Sequence, residues 1–383
     1  MKIGILTEEE FAFGVYGGFG YVARKTANLL RDLGHDVCII DVSSRYDQTS
    51  AQLEGIPVYF LVNKKIRFGP LDELNLVKDF SRKIRLDVII SISLYACGRW
   101  AYYFKKACPR TRSLIWFQDE RTNDDWKKIF SNTLFWLDSR NKYLSFFLLH
   151  ERYRRFLRQN GIKTADGLIT SAQLMRYKIA QMYRTRKNIE LVPNPIPIPD
   201  EKEIKKSEKP SVIFLGRLDP IKRPWLFAEI ARKFPDIEFL FLGESHFSGI
   251  MNSTMAKYRK IKNLKFLGLT VGERKAQILS RAWILINTSV YESLPISFLE
   301  ALSYKMPILS CQNPDNITSS HGFYTGEILG DGYNEIPKFT DGLQYLLSNN
   351  RWLNEGEQGY GFVRDFAEEK RVSKRLDQLI CAL

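Results

Sequence analysis

The sequence predicts an α/β protein: two Rossmann-like, doubly wound parallel-sheet domains facing a cleft. Three observations carry this. Short apolar runs alternate with helical patterns along all 383 residues. The runs are apolar at nearly every position, as in strands covered on both faces, and do not alternate apolar with polar. A proline-rich stretch then divides the alternation into two series.

The first series predicts strands at Lys2–Thr7, Val37–Val42, Val58–Val62, Asp87–Ser93, Ser113–Phe117, Gly167–Ser171 and Ile189–Val192, with helices such as Gly20–Leu33 and Asp72–Ile84 between them. The second predicts strands at Ser211–Leu215, Ile237–Leu242, Leu264–Leu267, Trp283–Asn287 and Pro307–Ser310, with helices at Trp225–Lys233, Gly272–Arg281 and Pro295–Tyr304. Between them, Pro193, Pro195, Pro197 and Pro199 can continue neither a helix nor a central strand, and a charged run to Lys209 follows. The expected domains are therefore 1–192 and 210–365, with a linker at 193–209 and a terminal helix at 366–383. In doubly wound sheets ligands sit at the carboxyl ends of strands, so the residues just after each strand matter most.

Composition excludes several classes. Apolar residues make up 44% and charged residues 26%, which is neither disordered nor collagen-like. No apolar run reaches the roughly 18 residues of a membrane span. The opening strand runs straight into Glu8-Glu9-Glu10 and has no cleavable export core, so it is not expected to be a signal peptide. Five cysteines are scattered without a Cys-x-x-Cys pair, which argues against a disulfide framework or a zinc ribbon and for a reducing, cytoplasmic setting. Of the net charge of +14, residues 1–199 carry 32 Lys/Arg against 20 Asp/Glu, and the remainder is almost balanced. Such asymmetry suits an anionic partner on the first half, or simply a solubilising surface.

Three loops carry candidate chemistry. Gly14-Val15-Tyr16-Gly17-Gly18-Phe19-Gly20 follows the first strand and opens a helix, where free amides can meet an anion. Its spacing is wrong for a dinucleotide fingerprint, and a plain glycine turn fits equally. Gly216-Arg217-Leu218-Asp219-Pro220-Ile221-Lys222-Arg223-Pro224 follows a strand of the second series. Arg217 as a planar fork and Lys222 as a point charge suit a diphosphate, or are charges on a solvated loop. Tyr291-Glu292-Ser293-Leu294-Pro295 leads into a helix that contains Glu300. The amides around Leu294 to Ser297 are then unpaired and can cradle phosphate, while carboxylates accept from sugar hydroxyls. Two acids beside a helix start, favoured by its dipole, is the plainer reading of the pair taken alone.

These motifs, with Gly34-His35-Asp36-Val37 and Val192-Pro193-Asn194, occur in an order that resembles glycosyltransferase family 4, whose fold is GT-B. The resemblance implies a retaining, hexosyltransferase-like enzyme using a UDP- or GDP-linked sugar. By it, Arg217 and Lys222 bind the donor diphosphate, and Gly17 and Gly18 close over it. Gly216, Ser293, Leu294 and Pro295 line the donor site, Glu300 holds the ribose, and Glu292 faces the sugar. No metal and no further cofactor is implied, because cations and helix amides do that electrostatic work. Where the family has a His-Asp pair near the sugar, this chain reads Gln118-Asp119. Glutamine keeps hydrogen bonds but carries no proton or charge, so a catalytically weak nucleotide-sugar-binding protein is the alternative. Phosphorylase or epimerase chemistry on the same fold is also open.

The acceptor side is expected in the first domain. Trp126, Phe130, Phe135, Trp136, Tyr143, Phe146 and Phe147 precede Arg152, Arg154, Arg155 and Arg158. Aromatic and basic stretches suit a membrane interface or stacked sugars, or are two amphipathic helices on a core. The resemblance implies a glycan or lipid-linked acceptor, polysaccharide biosynthesis, and peripheral contact with an anionic membrane at its inner face. No nucleic-acid motif is present. His35, His150, His246 and His321 have no metal-ligand spacing.

Overall fold

The structure is a computed structural model that describes residues 1–9, 17–43, 48–62, 70–135, 156–245 and 250–383. It divides into two compact units. The first holds Met1–Glu120, Ser145–Pro195 and Glu369–Leu383; the second holds Arg121–Leu144 and Ile196–Glu368.

The first unit is built on a sheet of β1 (Lys2–Thr7), β2 (Asp36–Asp41), β3 (Ser50–Leu53), β4 (Ile56–Phe60), β5 (Val88–Ile92), β6 (Arg112–Phe117), β7 (Gly167–Thr170) and β8 (Glu190–Leu191). Their order is β3-β4-β2-β1-β5-β6-β7-β8, parallel except for the edge strand β3. The second unit holds β9 (Ser211–Leu215), β10 (Glu238–Leu242), β11 (Leu264–Phe266), β12 (Ile284–Asn287), β13 (Ile308–Ser310) and β14 (Gly322–Tyr324). They form an all-parallel sheet ordered β11-β10-β9-β12-β13-β14. The chain turns one way from β9 and later the other, so a switch point lies between β9 and β12 at their carboxyl ends.

The reason for the architecture is legible in burial. β5 is buried at all five of its residues and β12 at all four. In the second unit Phe214, Phe227, Phe239 and Phe241 join one core with the fully buried Trp225. Phe227 and Phe241 meet edge to face at 4.7 Å. Each such side chain contributes about 1.5–3 kcal/mol on burial, so the strand ends are held firmly and the loops start from fixed points.

Three features differ from the expected boundaries. The terminal helix does not run unbroken through 366–383. One helix ends at Ala367, Glu368 turns extended, and a second covers Glu369–Ala382. The Ile196 amide donates to the Ala367 carbonyl at 2.9 Å, which takes a carbonyl that a continuing helix would use. The last helix belongs to the first unit, where Lys25 pairs with Glu369 at 2.6 Å and His35 meets Asp377 at 2.9 Å. Second, residues read as linker are part of the second unit from Ile196 onward. The Trp283 indole donates to the Ser207 carbonyl at 2.9 Å, and Lys305 pairs with Glu201 at 2.8 Å. Third, Arg121 to Phe135, expected in the first domain, packs with the second unit.

Lys206 lies in that pinned stretch. Its ammonium donates to the Tyr304 carbonyl at 2.6 Å and to the Ala282 carbonyl. Burial pushes its pKa down to about 7. In the unfolded chain this lysine keeps its proton to about pH 10.5. Between those values the unfolded state binds the extra proton, so the lysine's contribution to stability rises as pH climbs from about 7 toward 10.5. Lys206→Met is expected to remove that slope. Urea midpoints of both proteins at pH 7 and pH 9.5 check it: the wild type should gain stability relative to the variant at the higher pH.

Candidate functional site

The second unit gathers most of the predicted residues at the ends of β9 and β12. Gly216 follows β9, and Gly243 follows the neighbouring β10. A Cβ on Gly243 would overlap the Gly216 carbonyl, and Gly243 has φ +145, so the close approach of these two loops needs glycine there.

Asp219 then organises the predicted cation loop. Its carboxylate accepts from the Lys222 amide at 3.1 Å and caps the turn Pro220–Lys222. The other carboxylate oxygen meets Arg217 Nε at 3.4 Å, while the arginine side chain stays 46% exposed. Lys222 reaches to Glu292, with Nζ to Oε1 at 2.6 Å. The same oxygen accepts from Asn287 Nδ2 at 2.9 Å and Ser289 Oγ at 2.6 Å. One carboxylate oxygen thus takes three donors. Among the described residues, none donates to Oε2.

Lys222 has three N–H donors, and the contact with Glu292 uses one. Next to it, Pro295 precedes the helix Ile296–Ser303 with no side-chain cap. The amides of Ile296 and Ser297 have no earlier turn to bond to. Ser293 and Leu294 are buried in the approach. A cation, a carboxylate and uncapped helix amides therefore share one loop cluster, as a diphosphate with an attached polyol requires.

Glu300 sits in that helix and pairs with Lys275 of the helix Gly272–Arg281, Nζ to Oε1 at 2.6 Å. Lys275 was not among the predicted residues. Its sequence, Gly-Glu-Arg-Lys-Ala, reads as an ordinary surface helix.

Arg223 was missed as well. It is fully buried and adopts φ +47 directly before Pro224. Its guanidinium donates to the carbonyls of Thr288 at 2.7 Å, Ile328 at 3.0 Å, Gly330 at 3.2 Å and Ser289 at 3.2 Å, and to Cys311 Sγ at 3.1 Å. Burial lowers its pKa, while the Cys311 thiol is pushed up by its own burial. Arg223 thus ties the end of β12 to the 328–330 loop. In sequence it looked like one more loop cation beside Lys222.

The remaining predicted residues lie in the first unit. Gln118 and Asp119 follow β6, with Gln118 buried and Asp119 half-buried. The next residue, Glu120, is buried and accepts from the Tyr183 hydroxyl at 2.9 Å. Of the glycine loop, residues 14–16 lie outside the described residues. Gly17 and Gly18 open the helix Gly18–Asp32. The Gly20 amide donates to the Glu9 carboxylate at 3.4 Å, and a Cβ on Gly17 would overlap that carboxylate. Glu9 is held by its turn with Thr7, whose hydroxyl donates to the Glu9 carbonyl at 2.8 Å. The helix start expected to meet phosphate already faces an anion of the chain itself.

Trp126, Phe130 and Phe135 pack in a cluster with Ile129, Val290 and Tyr291 of the second unit, Trp126 and Phe130 being half-buried. Arg158 is buried. Trp136, Tyr143, Phe146, Phe147, Arg152, Arg154 and Arg155 lie outside the described residues. Among the described residues, no three His, Cys, Asp or Glu side chains converge as metal ligands would, and no helix is long and apolar enough to cross a membrane.

The family model described as glycosyl transferases group 1 matches residues 197–358. Residues 197–358, within the second unit, are a glycosyl transferases group 1 domain. The group 1 domain contains Arg217, Lys222, Lys275, Glu292 and Glu300. An uncharacterized glycosyltransferase of Methanocaldococcus jannaschii is 26% identical over 201 residues, covering 48% of this chain and 49% of that protein. The Escherichia coli UDP-Gal:alpha-D-GlcNAc-diphosphoundecaprenol alpha-1,3-galactosyltransferase is 30% identical over 181 residues, covering 43% and 44%. The chain spans about half the length of the curated relatives it matches. Sucrose-phosphate synthase of Thermosynechococcus elongatus superposes with a TM-score of 0.73 at 13% identity, covering 99% and 98% of the two chains. Anabaena HepE, solved with UDP and glucose, gives 0.73 at 14%, with both chains covered completely. The fold is GT-B.

Arg223→Met is expected to destabilise the group 1 domain by about 3–5 kcal/mol, because four buried carbonyls lose their donor. Arg223→Lys should recover little, since one ammonium cannot serve five directions. Urea unfolding of the three proteins measures both. Gly243→Ala is expected to destabilise the second unit, because its Cβ would displace the Gly216–Arg217 backbone and the residue sits at φ +145; a thermal melt measures the loss.

Proposed function

We propose that the chain is a retaining glycosyltransferase that moves a sugar from a UDP- or GDP-linked donor to a hydroxyl of a glycan or lipid-linked acceptor. The observation that carries this reading is the Lys222–Glu292 pair beside the uncapped start of the helix Ile296–Ser303, at the carboxyl ends of β9 and β12. Lys222, Arg217 and the amides of Ile296 and Ser297 would take the diphosphate. Glu300 would take the ribose hydroxyls on the oxygen that Lys275 does not use. Glu292 would offer Oε2 to the sugar while Oε1 stays fixed by its three donors.

In the reaction so proposed, the bond from the anomeric carbon to the diphosphate oxygen breaks. The acceptor oxygen bonds to that carbon on the same face, and its proton passes to the departing phosphate. The leaving group gains negative charge as the bond breaks, and preorganised cations and amides stabilise that charge. A UDP donor and a lipid-linked acceptor are supported by the name of the Escherichia coli relative. The basic excess over residues 1–199 supports contact with an anionic membrane, at a cytoplasmic face. Gln118 would favour the second reading, a nucleotide-sugar-binding protein with weak turnover, if a base is needed at that position; if the position only orients the sugar, the glutamine can fill it.

Incubation with a panel of UDP- and GDP-sugars tests the reading. One nucleotide sugar is expected to raise the melting temperature and to release free nucleoside diphosphate slowly, also in EDTA. Binding without release, even with acceptor, would favour the second reading. Lys222→Ala and Glu300→Ala should each weaken donor binding about tenfold or more, as loss of one charge-assisted contact does. Gln118→His discriminates further: a large gain in turnover would show that the native glutamine limits the chemistry.

A further inference from the structure

The turn that carries Lys222 is held from two sides. On one side lie its neighbours from the end of β12. The Thr288 hydroxyl donates to the Lys222 carbonyl at 2.7 Å, and the Val290 amide donates to the Ile221 carbonyl at 2.8 Å. On the other side is a segment 88 residues earlier in the chain: Asn132 Nδ2 donates to the Pro220 carbonyl at 2.6 Å.

Asn132 is fully buried, and both ends of its amide are used. Its Oδ1 accepts from the Leu134 amide at 3.0 Å, which fixes the orientation and leaves Nδ2 for Pro220. The segment that supplies it is firmly built. Thr122 and Asp125 form a reciprocal cap on the helix Asn123–Phe130. Trp126 stacks on Phe130 at 5.5 Å, and Ile129 and Phe135 pack with Val290, Tyr291 and Ile221. The Arg121 guanidinium lies 5.0 Å from the Trp126 ring and 5.3 Å from the Tyr291 ring, next in sequence to Glu292. Beyond the helix, the Ser131 hydroxyl accepts from the Gly330 amide at 2.8 Å. The strap touches Tyr291, Ile221 and Pro220, which flank the two members of the Lys222–Glu292 pair.

We propose that Asn132 is a positioning residue for the diphosphate site: its buried amide fixes the Pro220–Lys222 turn and so aims the Lys222 ammonium. This rests on the donor-site reading above. Asn132 touches no substrate. It acts through the turn, so its loss should register in proportion to how much a ligand uses Lys222.

The test compares a nucleoside diphosphate, which reaches Lys222, with the corresponding monophosphate. Affinities of UDP and UMP (GDP and GMP if guanine nucleotides are the ones bound) are measured for the wild type, Asn132→Ala, Lys222→Ala and the double variant. Asn132→Ser is read in the same way should the alanine variant fail to fold. Asn132→Ala is expected to lose about tenfold in diphosphate affinity, with monophosphate affinity within about twofold. In the Lys222→Ala background it should add almost nothing. Equal losses for both nucleotides, full additivity with Lys222→Ala, or wild-type diphosphate affinity would each overturn the role of Asn132. A wild type that binds neither diphosphate, or a Lys222→Ala protein that binds as well as wild type, would instead sink the donor-site reading itself.

Discussion

One carboxylate oxygen organises the group 1 domain's loops. Glu292 Oε1 accepts from Lys222, Asn287 and Ser289, which come from two different loops. The glutamate side chain is only 7% exposed and the lysine 22%. A buried ion pair needs further hydrogen bonds to offset its desolvation, and the asparagine and serine each add one to Oε1. The result is a cation and a carboxylate held at fixed positions between β9 and β12 before any ligand arrives. An anionic ligand bound there, as proposed, would meet little reorganisation cost.

Around that point lies an unusual amount of buried polar support. Arg223 stands one residue after Lys222 yet points the opposite way, into the protein, where it donates to four carbonyls. The αL conformation of Arg223 turns the chain so that successive cations diverge. One serves the fold and the other the candidate site. Asp219 makes a similar division: one oxygen caps the turn, and the other holds Arg217 at its exposed rim. Lys275 does for Glu300 what Asn287 and Ser289 do for Glu292, occupying one oxygen and leaving the other.

The first unit carries the other half of the motif set, and its anion site looks different. Glu9 lies against the start of the helix Gly18–Asp32, held by the Thr7 turn. A carboxylate there is favoured by the same unpaired amides that would favour phosphate. The glycines at 17 and 18 are thus compatible with two anions, one of them internal. Glu120, buried and bonded to Tyr183, adds a second carboxylate beside Gln118 and Asp119.

By itself the sequence determined most strands of both sheets to within about two residues, though not the edge strands β3 and β14, because continuous apolar runs such as Val88–Ile92 have no other stable burial. It also placed two helix starts, expected at Trp225 and Pro295, within one residue of the observed Pro224 and Ile296, because the proline ring presets the backbone. Lys222, Glu292 and Glu300 were legible as candidates from loops that follow strands and from the family resemblance of those loops. Tertiary structure alone decided which of two adjacent cations is buried and that Lys275 faces Glu300. It alone joined residues 121–135 to the second unit and broke the terminal helix at Glu368. Each of these depends on partners tens of residues or more away in the chain. Local propensity and periodicity carry no information about a hydrogen bond such as that from Asn132 to Pro220, which exists only once the core has brought its two ends together.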